Sequence, residues 1–203
     1  MGRKSDAGDR ILTAGTKLFG QRSYGTIGVA EIAAEAQVPK GSFYYFFPSK
    51  QALALAVIDK HWENQRAEWL RVLTAPGPVT ERLRELFVLT TEVQQQAVDG
   101  TGAVVGCLFG NLALEVSAQD DPVRSRLQEI FEEQIDIVEA ALRSGDEAGE
   151  LTVATPREAA KSIVAQIEGM VLFAKLFNDP AQLDALWQNS MRLLGVADSR
   201  ATA

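Results

Sequence analysis

The stretch Val29–Lys50, VAEIAAEAQVPKGSFYYFFPSK, decides the fold of this 203-residue chain. Its first part predicts one short helix with one buried face, because apolar residues recur there at helical spacing: Ile32, Ala33 and Ala36. Pro39 suits the first turn of a helix but not its interior, so a second helix is predicted to begin near Pro39. Gln37-Val38 is then the connection, and the whole stretch is predicted to be a helix-turn-helix.

The start of the second short helix supplies the candidate DNA-reading residues. In a helix-turn-helix the amino-terminal residues of the second helix lie nearest the base edges of the major groove. Glycine permits close approach there, and lysine or serine can donate hydrogen bonds to bases. The predicted base-proximal residues are Lys40, Gly41 and Ser42, and Gln37 in the turn is included in the predicted DNA-binding set.

Five aromatic side chains follow without a break, too many for one face of a short helix: Phe43, Tyr44, Tyr45, Phe46 and Phe47. Phe43 and Phe47 are four residues apart and are the predicted core pair. Tyr44 and Tyr45 are better placed to bring their hydroxyls to phosphates. The alternative is that all five pack in the core and the turn, since tyrosine also packs well with its hydroxyl at the surface.

The next helix is predicted to start at the end of the same stretch. Ser49 precedes KQALALAV and is a good N-cap residue. Lys50, close to that helix start, is predicted to reach a phosphate.

At this point the chain resembles the amino-terminal domain of TetR-family transcriptional regulators. The resemblance covers roughly residues 8–60 and rests on the pattern I-A-x-x-A-x-V-x-x-G-S-F-Y-x-x-F-x-S-K, with Ile11, Ala14, Phe19 and Tyr24 upstream. It implies backbone contacts for Tyr44 and Lys50. It also implies a recognition helix that carries Lys40, Gly41, Ser42 and Tyr45.

Two residues depart from the family pattern. Gly28 stands where many members have a serine or threonine that caps the helix and touches phosphate, and Phe46 replaces a commonly polar residue. Both departures remove a possible backbone contact, so DNA affinity is expected to depend more on Lys40, Lys50 and the basic arm with Arg3 and Lys4.

The charge distribution fits that assignment. The net charge is −7, yet residues 1–60 hold 8 Lys/Arg against 5 Asp/Glu, while residues 61–203 hold 12 against 22. A locally positive end is what phosphate binding needs. A single cysteine excludes an internal disulfide, and no signal-like or membrane-spanning run is apparent, so a cytoplasmic protein is expected. No metal site or cofactor is predicted.

An all-α fold of about nine helices is predicted, with a DNA-binding domain at 1–48 and a ligand-binding and dimerisation domain at 49–203. After the DNA-binding domain, helices are predicted from Ser49 to Leu73, Thr80 to Val98, Cys107 to Gln119, Asp121 to Gly145, 156 to about 178, and Asp179-Pro180 to Gly195. Thr80, Asp121 and a Thr155–Glu158 capping box are the expected starting signals.

The last two helices carry more apolar side chains than an outer layer needs, so they are predicted to pair with a second copy of the chain. Gly169 inside the first of them fits a close backbone approach. A two-fold dimer would also bind two DNA half-sites, which gives a sequence specificity that a single helix-turn-helix lacks. The family resemblance implies the same four-helix interface. Ordinary core packing is the alternative.

A candidate sensor lies in GCLFGNLALE, residues 106–115. Cys107, Asn111 and Glu115 are spaced to share one helix face. A thiol in the first turn of a helix is stabilised as thiolate, and Lys175 is a plausible neighbouring cation. Trp62 is also a candidate to line a pocket, with core packing as the alternative.

This segment, with GMVLFAK, resembles a branch of the family that responds to reactive electrophiles or to small unsaturated and oxidising compounds. The resemblance implies that the cysteine and lysine lie close together in the effector pocket. The alternative is a buried, structural Cys107 and a Lys175 that extends to solvent.

The sequence therefore predicts a homodimeric, ligand-responsive repressor that binds double-stranded operator DNA and a small effector. An enzyme with Cys107 as nucleophile lacks a base, because the one histidine, His61, is expected on another helix, either solvated or at a domain junction. A DNA-binding architectural protein without a ligand is the other rival.

Overall fold

A computed structural model describes residues 6–116, 118 and 120–196 of the chain. These residues form helices without any strand, in agreement with the predicted all-α class. The nine α-helices of the described part are α1 Ala7–Gln21, α2 Val29–Glu35, α3 Lys40–Phe46, α4 Lys50–Leu73, α5 Val79–Thr101, α6 Leu108–Val116, α7 Asp121–Glu147, α8 Pro156–Phe177 and α9 Leu186–Leu193. Short 3₁₀ helices cover Tyr24–Thr26 and Pro180–Ala185.

The helices form two compact units. The first comprises Met1–Asn64 and Leu108–Gln128, and the second comprises Gln65–Cys107 and Glu129–Ala203. The predicted boundary at residue 48 separates a DNA-binding part from a ligand-binding and dimerisation part. The two compact units do not test that assignment of roles, so it stays a prediction.

The first unit packs α1 against α2 and α3. Gly15 permits a close approach between α1 and α4, since a methyl group there would lie 3.0 Å from the Leu53 side chain. The fully buried side chains of this unit include Ile11, Ile27, Ile32, Phe43, Leu53, Ile58, Phe109 and Leu112. Burial of this apolar surface holds the short helices α2 and α3 in place, because helices of seven residues are not stable alone.

The second unit has its own apolar core, built from α5, α8, α9 and the parts of α4 and α7 that belong to it. Val79, Leu83 and Leu86 of α5 are fully buried in it, as are Ile163 and Ala174 of α8. Burial of these side chains supplies the main stabilisation of the unit.

Several predicted helix ends were wrong by a few residues. Helix α5 begins at Val79 rather than after a Thr80 cap, and it continues through Asp99-Gly100 to a left-handed Gly102. Asp120, not Asp121, caps α7, since its carboxylate accepts the Val123 N–H at 3.1 Å.

Three further features at helix ends also differ from expectation. The Thr155 side chain makes no cap hydrogen bond at the start of α8. Gly145 lies inside α7, which ends at Glu147. The predicted last helix is a 3₁₀ helix followed by α9, and Asp179 caps the 3₁₀ helix through the Ala181 N–H at 3.0 Å.

Candidate nucleic-acid interface and sensor residues

Helix α3 buries one side chain and presents several others to solvent. Phe43 is 0% exposed, whereas Tyr44 is 52% and Tyr45 is 84% exposed. Lys40 and Gly41 are exposed at its amino-terminal end, and Ser42 beside them is half-buried. The predicted base-proximal residues therefore lie together at the start of an exposed helix face, where hydrogen-bond donors are free to approach a groove.

The aromatic run is divided by the helix geometry. Phe43 and Phe47 contact each other with ring centroids 6.1 Å apart, although Phe47 is only half-buried. Phe46 is also half-buried, and its ring lies against Gly8 of α1, where a methyl group would come within 2.9 Å of the ring. The aromatic residue at position 46 thus packs α3 onto α1, a role that the sequence pattern did not reveal.

The turn between α2 and α3 contains a strained residue. Gln37 has φ +54°, a left-handed backbone conformation that residues other than glycine and asparagine rarely adopt. The Arg10 guanidinium of α1 donates to the Gln37 carbonyl at 3.3 Å. The Gln37 side chain itself is exposed and accessible to a partner.

The start of α2 lacks a capping side chain. Gly28 is its N-cap residue, and its carbonyl accepts from the Ile32 N–H at 3.1 Å. A methyl group at Gly28 would meet nothing within 4 Å. The position therefore has room for a capping serine or threonine, and its predicted place in the interface stays a prediction.

Lys50 is held by the first unit itself. Its ammonium group donates to the Tyr24 carbonyl at 2.8 Å and to the Ile27 carbonyl at 3.0 Å, and it lies 4.1 Å from the Tyr24 ring centroid. Ser49 caps α4 as predicted, since its hydroxyl accepts the Ala52 N–H at 3.0 Å. A lysine has three N–H donors, so the predicted phosphate contact of Lys50 would use the third.

Cys107 lies immediately before α6, which begins at Leu108, so the prediction of a thiol within the first helical turn was wrong. The thiol hydrogen-bonds the Glu168 carboxylate of α8. Burial raises the pKa of Glu168, and the bond from Cys107 acts in the opposite direction. Sequence reasoning missed Glu168, although an acid inside the apolar run AQIEGMVLF was a visible signal.

The segment before Cys107 is tied to α5 and α8 by amide side chains. Gln94, which is buried, accepts from the Gly106 N–H at 3.0 Å and donates to the Gly106 carbonyl at 3.3 Å. Asn178 accepts from the Val104 N–H at 2.8 Å and donates to the Gly102 carbonyl at 3.1 Å. These contacts fix the backbone next to the thiol, and the sequence pattern gave no sign of them.

The other predicted sensor residues lie in different surroundings. Trp62 is buried in the first unit with its ring 6.2 Å from that of Phe109, and Asn111 is half-buried on α6. Lys175 is exposed in the last turn of α8. His61 is half-buried: it packs against Phe109, and burial lowers its pKa.

Glu115 binds the segment before α2. One of its carboxylate oxygens accepts from the Ser23 hydroxyl and the Gly25 N–H, both at 2.5 Å, and the other accepts from the Tyr24 N–H at 2.9 Å. Its carboxylate is thus engaged by three donors within the first unit. The predicted role of Glu115 as an effector contact stays a prediction.

A buried α1–α2–α3 core with an exposed α3 face is the arrangement of a helix-turn-helix DNA-binding protein. Comparison with family models gives the same class. Residues 11–57 match the model described as bacterial regulatory proteins, tetR family, and residues 79–189 match a tetracyclin repressor-like C-terminal domain. The chain belongs to the TetR family.

Named relatives agree over most of their length. The chain is 32% identical over 176 residues to the HTH-type transcriptional repressor DhaR of Mycobacterium sp. (strain GP1), covering 86% of this chain and 85% of that protein. It is 30% identical over 172 residues to the HTH-type transcriptional repressor NemR of Escherichia coli (strain K12), covering 84% and 85%.

Solved structures show the same fold. A crystal structure of the reduced form of E. coli NemR has a TM-score of 0.77 at 26% identity and covers 95% of this chain and 100% of that one. The regulatory protein TetR from Rhodobacter sphaeroides has a TM-score of 0.80 at 30% identity, with coverages of 93% and 99%.

Among the described residues, no helix is long and apolar enough to cross a membrane.

Proposed function

We propose that this chain is a homodimeric repressor whose two α3 helices read the two halves of an operator and that a small effector releases it. The observation that carries the proposal is the exposed amino-terminal end of α3, with Lys40 and Gly41 beside Ser42. Tyr44, exposed on the same helix, would contact the DNA backbone. The relatives DhaR and NemR are themselves named transcriptional repressors.

Selection from a random duplex library tests the reading step. We expect the protein to retain DNA with two related half-sites in inverted order, whose centres lie about 34–36 Å apart or a multiple of that. Retention of unrelated sequences with equal affinity would indicate an architectural DNA-binding protein instead. The genes beside genomic copies of the selected site would suggest the effector class.

The pairing surface is proposed on the last two helices of the chain, of which α8 is the longer. The solvent side of α8 carries large apolar groups at helical spacing: Leu172, Phe173, Leu176 and Phe177. Phe173 and Phe177 stack on each other, and a methyl group at Gly169 would meet nothing within 4 Å of the same chain. Such a face is stabilised by burial against a second copy.

Sedimentation measures this pairing directly. Leu176→Arg places a charge in the proposed interface and should give a monomer that no longer binds a two-half-site operator tightly. Val93→Glu changes another exposed apolar residue, on α5, and should leave the dimer intact. A dimeric Leu176→Arg variant would place the interface elsewhere.

Cys107 is the proposed sensor of an electrophilic or oxidising effector. Support comes from the resemblance of residues 106–115 to the electrophile-responsive branch and from the contact of the thiol with Glu168. Treatment with a quinone or a maleimide should release the selected operator. Cys107→Ser should abolish that release, and equal release by this variant would exclude the thiol mechanism.

A non-covalent apolar effector with a structural Cys107 is the second candidate. Cys107 packs against the apolar core of the second unit, which favours this role. A hundredfold release requires about 2.7 kcal/mol of differential binding between the two states, which a well-filled pocket can supply. Release of the Cys107→Ser variant by unreactive apolar compounds would select this candidate.

A further inference from the structure

The segment that joins α1 to α2 has no capping side chain of its own. Ser23 precedes the 3₁₀ helix Tyr24–Thr26 without a side-chain cap, and Gly28 precedes α2 without one. The backbone N–H groups of Tyr24 and Gly25 are satisfied instead by Glu115, which is about 90 residues further along the chain. The Tyr24 N–H is half-buried, where a donor without a partner is costly, so this carboxylate replaces a missing local cap.

A charge of opposite sign holds the carbonyl groups of the same segment. Lys50 donates to the carbonyls of Tyr24 and Ile27, at 2.8 and 3.0 Å, and its ammonium lies over the Tyr24 ring. The Tyr24 ring also packs edge-on against Phe19 of α1, with centroids 5.3 Å apart. The segment is therefore fixed from both ends by ionised side chains, and hydrogen bonds to charged groups are the stronger kind.

The two charged groups also support each other. Burial opposes ionisation of Glu115, yet the hydrogen bonds from Ser23, Gly25 and Tyr24, together with the positive charge of Lys50, lower its pKa. Gly25 leaves space for this contact, since a methyl group there would lie 3.1 Å from a Glu115 oxygen. We call the contact of Glu115 with residues 23–25 the Glu115 clamp.

We infer that Glu115 is a positioning residue for DNA reading: through the clamp, α6 fixes the segment from which α2 and then α3 project. The inference rests on the proposed reading of DNA by α3. Helix α2 starts three residues after Thr26, so a shift of the clamped segment is passed directly to the helix-turn-helix. Misplacement of a pre-organised binding surface lowers affinity even when each contact residue is present.

Operator affinity and amide exchange test the inference together. The probe is a duplex selected by the wild-type protein from a random library. Glu115→Ala removes all three contacts and should weaken binding by about tenfold or more, which corresponds to about 1.4 kcal/mol. Ser23→Ala removes one hydrogen bond and should give a smaller loss in the same direction. Hydrogen exchange should become faster at the amides of Tyr24 and Gly25 in Glu115→Ala.

The controls separate the possible failures. Glu63→Gln removes an exposed carboxylate that pairs with Lys60 on the same helix, and it should bind like the wild type. Faster exchange of the Tyr24 and Gly25 amides with unchanged operator affinity in both clamp variants would overturn the inference and show a merely structural contact. Unchanged exchange would show that the clamp does not hold the segment. A wild-type protein that selects no duplex would overturn the proposed DNA reading itself.

Discussion

The side chains of Phe43, Tyr44 and Tyr45 show how far residue chemistry alone predicts the interface. Helical spacing predicts that Phe43 faces inward and that Tyr44 and Tyr45 face outward, and the burial of Phe43 and the exposure of both tyrosines confirm these orientations. The half-burial of Phe46 was not predictable in this way, because it depends on the absence of a side chain at Gly8 in another helix. Local patterns predict which face of a helix is buried, whereas the residues that this face contacts are set by tertiary packing.

The same limit applies to charged residues. Lys50 and Glu115 were predicted to meet phosphate and effector, and both are engaged by the segment between α1 and α2. Their partners are more than 20 residues away, and no spacing rule connects a carboxylate on α6 with amides near Tyr24. Cys107 and Glu168 form a similar long-range pair.

Gln37 supplies a prediction at this scale. Its φ of +54° is strained for glutamine and unstrained for glycine, so Gln37→Gly should stabilise the protein by about 0.5–1 kcal/mol. Denaturant unfolding measures the change. The matched control Ala34→Gly, at an exposed position inside α2, should destabilise by about 1 kcal/mol. A destabilised Gln37→Gly variant would show that the glutamine side chain contributes more than its backbone strain costs.

At the scale of the element, helix existence was predicted better than helix ends. The spacing of apolar residues predicted α7, but Gly145 was wrongly given as its end. The helix continues because Gly145 faces Val79 at the start of α5, where a methyl group would come within 2.4 Å of the valine side chain. Glycine is required there because a neighbouring helix comes close, not because α7 ends. A single sequence does not show such a contact between helices.

This contact leads to a second prediction. Gly145→Ala should destabilise the second unit by about 1–3 kcal/mol, because the added methyl group overlaps fully packed atoms. Thermal unfolding measures the loss. The double variant Gly145→Ala, Val79→Ala should recover part of it by making room, and a double variant less stable than both single ones would contradict this explanation.

The Glu115 clamp leads to a pH prediction for α6. The folded-state pKa of Glu115 lies below the ordinary value of 4.5, so its stabilisation is present above that pH and is lost as the pH falls below it. The stability difference between the wild type and Glu115→Gln should therefore be largest near neutral pH and should shrink below about pH 4.5. Thermal unfolding across this range measures the difference, and a pH-independent difference would exclude the ionised carboxylate as its cause.

At the scale of the whole molecule, the sequence predicted the all-α fold and the TetR family, and both are confirmed. The charge division between residues 1–60 and the rest also agrees with DNA binding by the amino-terminal helices. The surroundings of Cys107, the proposed sensor, were less predictable, because they are built from residues on several helices whose packing no single motif records. The partners of Cys107 became apparent only in the folded chain.

The central claim is that α3 reads DNA through its amino-terminal residues, and the operator affinity of Lys40→Ala tests it most directly. The measurement is fluorescence anisotropy on the selected duplex and on versions with single base-pair changes. We predict a loss of about 1–3 kcal/mol on the selected duplex, together with a relaxed penalty at one base-pair position of each half-site. A variant with the affinity and the base-pair penalties of the wild type would contradict the account.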